Sequence, residues 1–453
     1  MVAYTNIAWV GPRAEEPKVD NLVVIDGRGR YLSPGLVDAH VHSSSAAGWL
    51  LNLANGVTTV REMGGFPWLL RLRDNVSART FLAPTPYVAG TLINGAPIEG
   101  YAVLVRNPLD ARRAVRQQAA CGYDFIKIHN NLSRPVFDAV ADQARLMGMD
   151  LVGHVPHDMP VRHAAERGLR TMEHLKGFLN DRTLTPGDTD FATVTGAAEV
   201  WNTPTLYTWR GYARGAEGRR YLEAPETRYA PLRRRDRWRR SMAEPEAESR
   251  MGREGGVHAM AIARQLVRSG ARFLAGTDSD NYTFQVMGYA LVDEMQLLEQ
   301  AGLPPAAALR AATIEPARAM RVESEFGLIR PGLRADLVLT DANPLEGARA
   351  FETNQGVMAH GYWLDRVMLD RALDKLARIQ AEPDAAVAVT EQAAAEAFLA
   401  AQARSLAGYV FETMTLTALV GELRKAGFNA SADRFEALAA VPQQGACAAF
   451  TPS

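Results

Sequence analysis

The sequence predicts an α/β chain organised as a (β/α)8 TIM barrel with a small flanking β-sandwich and a helical C-terminal extension. Three observations lead there. Short apolar runs read as strands near residues 36–42, 56–62, 80–89, 123–129, 149–154, 169–174, 198–206 and 271–277. Helix-like stretches separate most of them, for example Pro108–Cys121, Arg134–Met147 and Val257–Ser269, and eight such alternations indicate a closed parallel barrel. At 453 residues, the chain also has room for a barrel of about 250 residues together with appendages.

The strand ends carry the chemistry. The first run, Leu36-Val37-Asp38-Ala39-His40-Val41-His42, closes on two histidines two residues apart. Positions i and i+2 of a strand point to one side, so both imidazoles aim at one point. Imidazole suits zinc and similar divalent ions, although a lone pair of this kind is as often two ordinary strand-end histidines. The fourth run, Tyr123–Ile128, buries Lys127, and an unpaired ammonium is expensive to bury. The fifth ends at His154, the sixth at His174 and the eighth at Asp278. Singly, each reads as a satisfied core histidine or a helix-capping aspartate. Together they sit at the C-terminal ends of strands one, four, five, six and eight, the face on which such barrels assemble active sites. A metal accounts for that ordered set more simply than five coincidences.

These stretches resemble the amidohydrolase superfamily, within it the imidazolonepropionase-like and prolidase-like branch of metal-dependent hydrolases. The matching segments are Tyr31–His42, Gly56–Gly65, Phe125–Ile128, Gly153–Pro156, Met172–Leu175, Gly276–Ser279 and Gly327–Leu339, spread over roughly residues 20–375. The resemblance implies two divalent metal ions, zinc by expectation, bridged by an N6-carboxylated Lys127. It also implies that His40, His42 and Asp278 hold the more buried ion and that His154 and His174 hold the other. The metals would then acidify a bridging water and polarise the scissile carbonyl. Asp278 would move the proton from that water to the leaving amine.

The resemblance and the element pattern together divide the chain into a sandwich at 1–34 and 326–363, a metal-dependent barrel at 35–325 and a helical extension at 364–453. Only 39 residues precede His40, fewer than relatives carry, so the N-terminal part of the sandwich is expected to be reduced or incomplete. Met1–Gly11 lacks the basic start and apolar core of a signal peptide, which makes cytoplasmic the default location, subject to any upstream export signal. A net charge of −1 gives the whole chain no electrostatic case for a nucleic-acid partner, and no apolar run of membrane-spanning length occurs. The two cysteines fit neither a zinc-finger spacing nor a nucleophile motif. Expected partners are therefore a small-molecule substrate and further copies of the chain in a homo-oligomer, without nucleic acid or membrane. The excursion from Trp209 to Gly256 contains the basic run Arg233–Arg240, read as a solvated outer helix balanced by Glu244–Glu248, with part of the excursion available as a lid.

Three residues are expected at the pocket mouth as substrate contacts: Arg61 on strand two as a bidentate partner for a carboxylate, His129 beyond Lys127, and Tyr207 after strand seven. Among function classes, hydrolysis of an amide or peptide-like C–N bond, of the Xaa-Pro dipeptide or N-acyl amino acid type, leads. A heterocycle deaminase or cyclic-amide hydrolase is the alternative. However, the deaminases' glutamate three residues after a strand-six histidine is missing, since His174 is followed by Leu175-Lys176-Gly177. A catalytically inactive scaffold is the third class, and a full set of six ligands speaks against it.

Overall fold

The computed structural model describes residues 1–42, 45–98, 102–179, 187, 200–243, 246–279 and 284–381. Eight parallel strands form the ring: Leu36–Val41, Val57–Glu62, Thr85–Val88, Phe125–Ile128, Asp150–Gly153, Leu169–Glu173, Trp201–Thr203 and Arg272–Phe273. Strands one to three pair in sequence, as do strands four to eight. Two seams close the ring. At one, Gly90 N–H donates to Phe125 O at 2.8 Å and Asp124 N–H to Val88 O at 2.9 Å. At the other, Ala39 N–H donates to Ala275 O at 2.9 Å and Asp278 N–H to His40 O at 2.7 Å. Every residue of strands one, two and four is buried, as expected of parallel strands covered on both faces.

The surrounding helices start and stop where local chemistry dictates. Asn107 accepts from the N–H groups of Leu109 and Asp110 to cap Pro108–Cys121, Pro108 occupies the first turn, and Gly122 ends the helix at φ 79°. Arg134–Leu146 presents Val136, Phe137, Val140 and Ala144 to the core. Between strands three and four the chain adds a short parallel pair, Leu92–Asn94 and Ala102–Leu104, which alternation alone did not predict.

The flanking region is a four-stranded antiparallel sheet ordered Tyr362–Asp365, Asn354–Ala359, Leu337–Thr340, Tyr31–Pro34, with a separate small hairpin pairing Val2–Ala3 to Asn6–Ile7. Leu364, expected to begin the extension, instead belongs to the last strand of this sheet, and the helix that follows runs Arg366–Ile379 with Asp365 capping Met368 N–H at 2.7 Å. It buries Leu369, Leu373 and Leu376. The rest of the expected extension, and Glu244 and Pro245 of the acidic stretch, lie outside the described residues.

The basic run forms the helix Leu232–Ser241. Trp238 on it is buried against Phe284, ring centroids 5.8 Å apart, and Arg235 donates to Gln380 O at 2.5 Å. Its inner face is therefore part of the packing around the barrel. No described helix is long and apolar enough to cross a membrane.

Candidate metal centre and its pocket

Strand one places His40 and His42 on one side, and strand eight brings Asp278 to meet them. Asp38 fixes that junction: its carboxylate accepts from Thr277 N–H at 3.0 Å and from Thr277 Oγ1 at 2.6 Å. Burial pushes the Asp38 carboxyl up to about 7, although the hydrogen bonds from Thr277 oppose the shift. A Cβ at Gly276 would stand 2.6 Å from Thr203 Cγ2 and 2.9 Å from His40 Cβ, so only glycine lets strand eight approach this closely. His42 Nε2 then lies 3.0 Å from Asp278 Oδ1 and His40 Nε2 3.5 Å from the same oxygen. The ligand atoms of these three residues all fall within 4.8 Å of one another.

Strand six supplies the support that sequence reading overlooked. Glu173 Oε2 sits 2.7 Å from His40 Nδ1, which turns Nε2 toward Asp278. The other oxygen, Oε1, accepts from Arg61 Nη2 at 2.8 Å and from Thr171 Oγ1 at 2.5 Å. Burial alone would raise the Glu173 carboxyl, but Arg61 and Lys127 outweigh it and hold the group below its ordinary value. Arg61 thus does not reach the pocket mouth. Its side chain is 1% exposed and also donates to Ala39 O at 2.6 Å, Thr171 Oγ1 at 2.9 Å and Thr203 Oγ1 at 3.3 Å. The guanidinium is occupied beneath the site, leaving no fork for a substrate carboxylate.

Lys127, His154 and His174 complete the cluster. Gly153, at φ 132°, passes so close to strand four that a Cβ would meet Ile128 O at 2.3 Å, and His154 follows directly. His154 Nδ1 is 2.6 Å from Asn130 Oδ1, and His174 Nδ1 is 2.8 Å from Thr205 Oγ1. Ring centroids are 4.8 Å apart for His154 and His174, and 4.5 Å for His40 and His174. His174, Thr205 and Asp278 all adopt left-handed backbone, with φ of 59°, 48° and 54°. Such strain in non-glycine residues gathers where strand ends must turn side chains into a site.

All six expected ligands line one cavity of about 400 Å³. His129 lines it too, its ring 4.2 Å from that of His154. Tyr207 does not. It is buried in the helical turn Leu206–Tyr212, with its hydroxyl donating to Phe284 O at 3.1 Å and Arg210 stacked 4.4 Å over its ring. Glu294 sets this turn by accepting from Leu206 N–H at 3.1 Å and Tyr207 N–H at 2.7 Å. The same turn delivers Trp209 and Tyr212 to the cavity, their rings 5.7 Å apart, while Lys176 reaches it from just beyond His174.

The donor set suits divalent cations. His40 Nε2 is buried with no hydrogen-bond partner among the described residues, an arrangement that costs free energy unless something electrophilic sits beside it. Burial, reinforced by neighbouring cations and imidazoles, holds His40, His154 and His174 well below the ordinary histidine value. They are therefore neutral imidazoles, the ligating form. Burial favours a charged form less for Asp278, but His174, His42 and Lys127 overcome it and keep the carboxylate ionised. Burial brings Lys127 down to about 8, against the pull of Glu173 and Asp278.

Comparison with known proteins places this geometry in context. The model of the amidohydrolase family matches residues 31–370. Among solved structures, a bottromycin amidohydrolase is 30% identical with a TM-score of 0.67, covering 78% of this chain and 81% of its own. A candidate prolidase from Bifidobacterium longum is 26% identical with a TM-score of 0.64, covering 83% and 92%. The imidazolonepropionase of Shewanella frigidimarina is 55% identical over 38 residues, which is 8% of this chain and 9% of that protein. The chain thus spans less than a tenth of the length of that curated relative.

Proposed function

The chain belongs to the amidohydrolase family, and on that premise we propose that it is a binuclear-metal hydrolase of an amide or peptide-like C–N bond. The observation that carries this reading is the convergence of His40, His42, Lys127, His154, His174 and Asp278 on one cavity, with a hydrogen-bonding partner behind three of the histidines. His40, His42 and Asp278 would hold one ion, His154 and His174 the other, and Lys127 would bridge them as a carbamate. A lysine brought down to about 8 is in part a neutral amine at neutral pH, the form that adds to carbon dioxide. Converting it to an anion also answers the cost of burying an ammonium. When bound, the ions would acidify a water and polarise the substrate carbonyl. Asp278, held as a carboxylate, takes the proton from the attacking water and returns it to the leaving nitrogen.

With Arg61 and Tyr207 turned away, Lys176 and His129 become candidate substrate-facing polar groups in a cavity that the aromatic pair Trp209 and Tyr212 also lines. Lys176 is a cation among the described lining residues outside the ligand set. The substrate best matched to it carries a carboxylate near the scissile bond and an apolar or aromatic group on the other side, as an N-acyl amino acid or an Xaa-Pro dipeptide does. A panel of N-acyl amino acids, dipeptides and cyclic amides, each as acid and methyl ester, tests this on zinc- and bicarbonate-loaded enzyme. Preference for acids, reduced roughly tenfold or more by Lys176→Met, is expected. Equal cleavage of acid and ester would refute the carboxylate anchor, and turnover of cyclic amides alone would move the function to the alternative class.

A further inference from the structure

A second cavity, of about 560 Å³, opens at the opposite end of the barrel. Arg170, Trp201 and Arg272 line it from the starts of strands six, seven and eight, whereas the ligand cluster occupies the other ends of the strands. Its lining sets five arginines, Arg170, Arg272, Arg310, Arg318 and Arg321, against two carboxylates, Glu315 and Glu323. The floor is built and fixed. Two guanidiniums stack on the Trp201 ring, Arg170 at 4.8 Å and Arg272 at 4.9 Å, and its Nε1–H donates to Glu315 Oε2 at 2.9 Å. Arg170 is itself buried, donating to Ala319 O at 2.6 Å and Arg318 O at 2.9 Å.

The charges around this floor do not balance. Arg318 pairs with Glu315 at 2.7 Å, and Asp150 is shared by Arg321 at 3.2 Å and Arg170 at 3.6 Å. Arg272 and Arg310 have no ion pair among the described residues. Like charges gathered around one concavity repel, and an anion among them removes that cost. Guanidinium forks match phosphate and carboxylate oxygens in pairs, and the cavity volume lies in the range of small-ligand sites. We propose that this cavity binds a small polyanion bearing two phosphate or carboxylate groups, with Arg272 and Arg310 supplying the unpaired cations. Its ligand is distinct from the substrate. By binding only the folded chain across the starts of three strands, it raises stability by mass action.

Calorimetric titration of the metal-loaded enzyme at fixed ionic strength tests this, with pyrophosphate, propane-1,2,3-tricarboxylate and ethane-1,2-disulfonate as probes and methanesulfonate as the monoanion control. At least one of the three polyanions should bind saturably and raise Tm, while methanesulfonate does not. Tighter pyrophosphate identifies a phosphate ligand and tighter tricarboxylate a carboxylate one. The metal cluster also attracts anions, so variants carry the assignment. Arg272→Gln with Arg310→Gln should weaken binding roughly 10-fold or more, whereas Lys176→Met in the catalytic pocket should leave it unchanged. Arg310→Gln alone, at an exposed residue, should still weaken binding several-fold if the double variant folds poorly. Absence of saturable binding up to millimolar probe overturns the proposal. So does parental affinity in the arginine variants.

Discussion

Arg61→Met separates the structural role of that residue from a substrate-binding one. The substitution removes a guanidinium that is 1% exposed and donates to Ala39 O, Thr171 Oγ1, Thr203 Oγ1 and Glu173 Oε1. Methionine fills much of the volume but leaves Glu173 as a buried carboxylate without its cation. Breaking a buried ion pair by removing one partner costs about 3–5 kcal/mol, which for a chain of this size lowers Tm by several degrees. The damage also travels one bond further. Glu173 Oε2 orients His40 through a 2.7 Å contact, and loss of an outer hydrogen-bond partner to a ligating histidine typically weakens metal binding by roughly 10- to 100-fold. Thermal unfolding and chelator competition measure the two effects, and kcat/KM on an acid and its methyl ester measures a third. Tm and metal affinity should both fall, and kcat/KM should fall by the same factor for acid and ester. Unchanged Tm and metal affinity with selective loss of acid cleavage would refute this placement of Arg61.

Asp278→Asn should lower kcat by roughly 10²- to 10⁴-fold while metal analysis still finds substantial metal. Near-normal kcat with metal bound would assign the proton transfer to another group. Trp209→Ala should raise KM for substrates with an aromatic acyl group while leaving metal content unchanged, as read from steady-state kinetics and elemental analysis. His360 gives a pH prediction away from the cluster. Burial depresses it from 6.5 to about 4, with its Nε2 2.7 Å from Thr85 Oγ1. The unfolded chain then binds this proton more readily than the folded one, so the contribution is intact above pH 6.5 and is lost as pH falls toward 4. The loss amounts to about 3 kcal/mol. Urea unfolding between those pH values should be less pH-dependent in His360→Asn, which tolerates the positive φ of 50°. An identical slope would remove His360 from the account.

The six expected ligands stand out in the sequence because each lies in or at the end of an apolar run, and a strand's two-residue period says which neighbours share a side. The barrel follows from the same runs. What lies between strands distant in sequence is less visible. The alternation of Val57, Thr59 and Arg61 does not say whether Arg61 rises into the pocket or stays below it. That depends on Glu173 arriving from strand six at the same level. Tyr207 departs from the expected pocket mouth for a different reason. Strand seven ends at Thr203, and Thr205 at φ 48° opens a helical turn that sends Tyr207 to Phe284 and Trp209 to the cavity. Nothing local marks a threonine for that conformation. Lys176 stands two residues after the expected ligand His174, and that spacing is its signal in the sequence. Glu294 has none, because the two backbone N–H groups from which its carboxylate accepts lie nearly ninety positions away.

We propose that these side chains hold two divalent ions bridged by a carboxylated lysine. Native mass spectrometry of the zinc- and bicarbonate-reconstituted chain tests it most directly, because one spectrum counts ions and detects the added carbon dioxide together. The account predicts two zinc ions and one carbon dioxide per chain, with the carbon dioxide absent and the zinc reduced in Lys127→Ala. A fully folded, reconstituted chain carrying a single ion and an unmodified mass would contradict it.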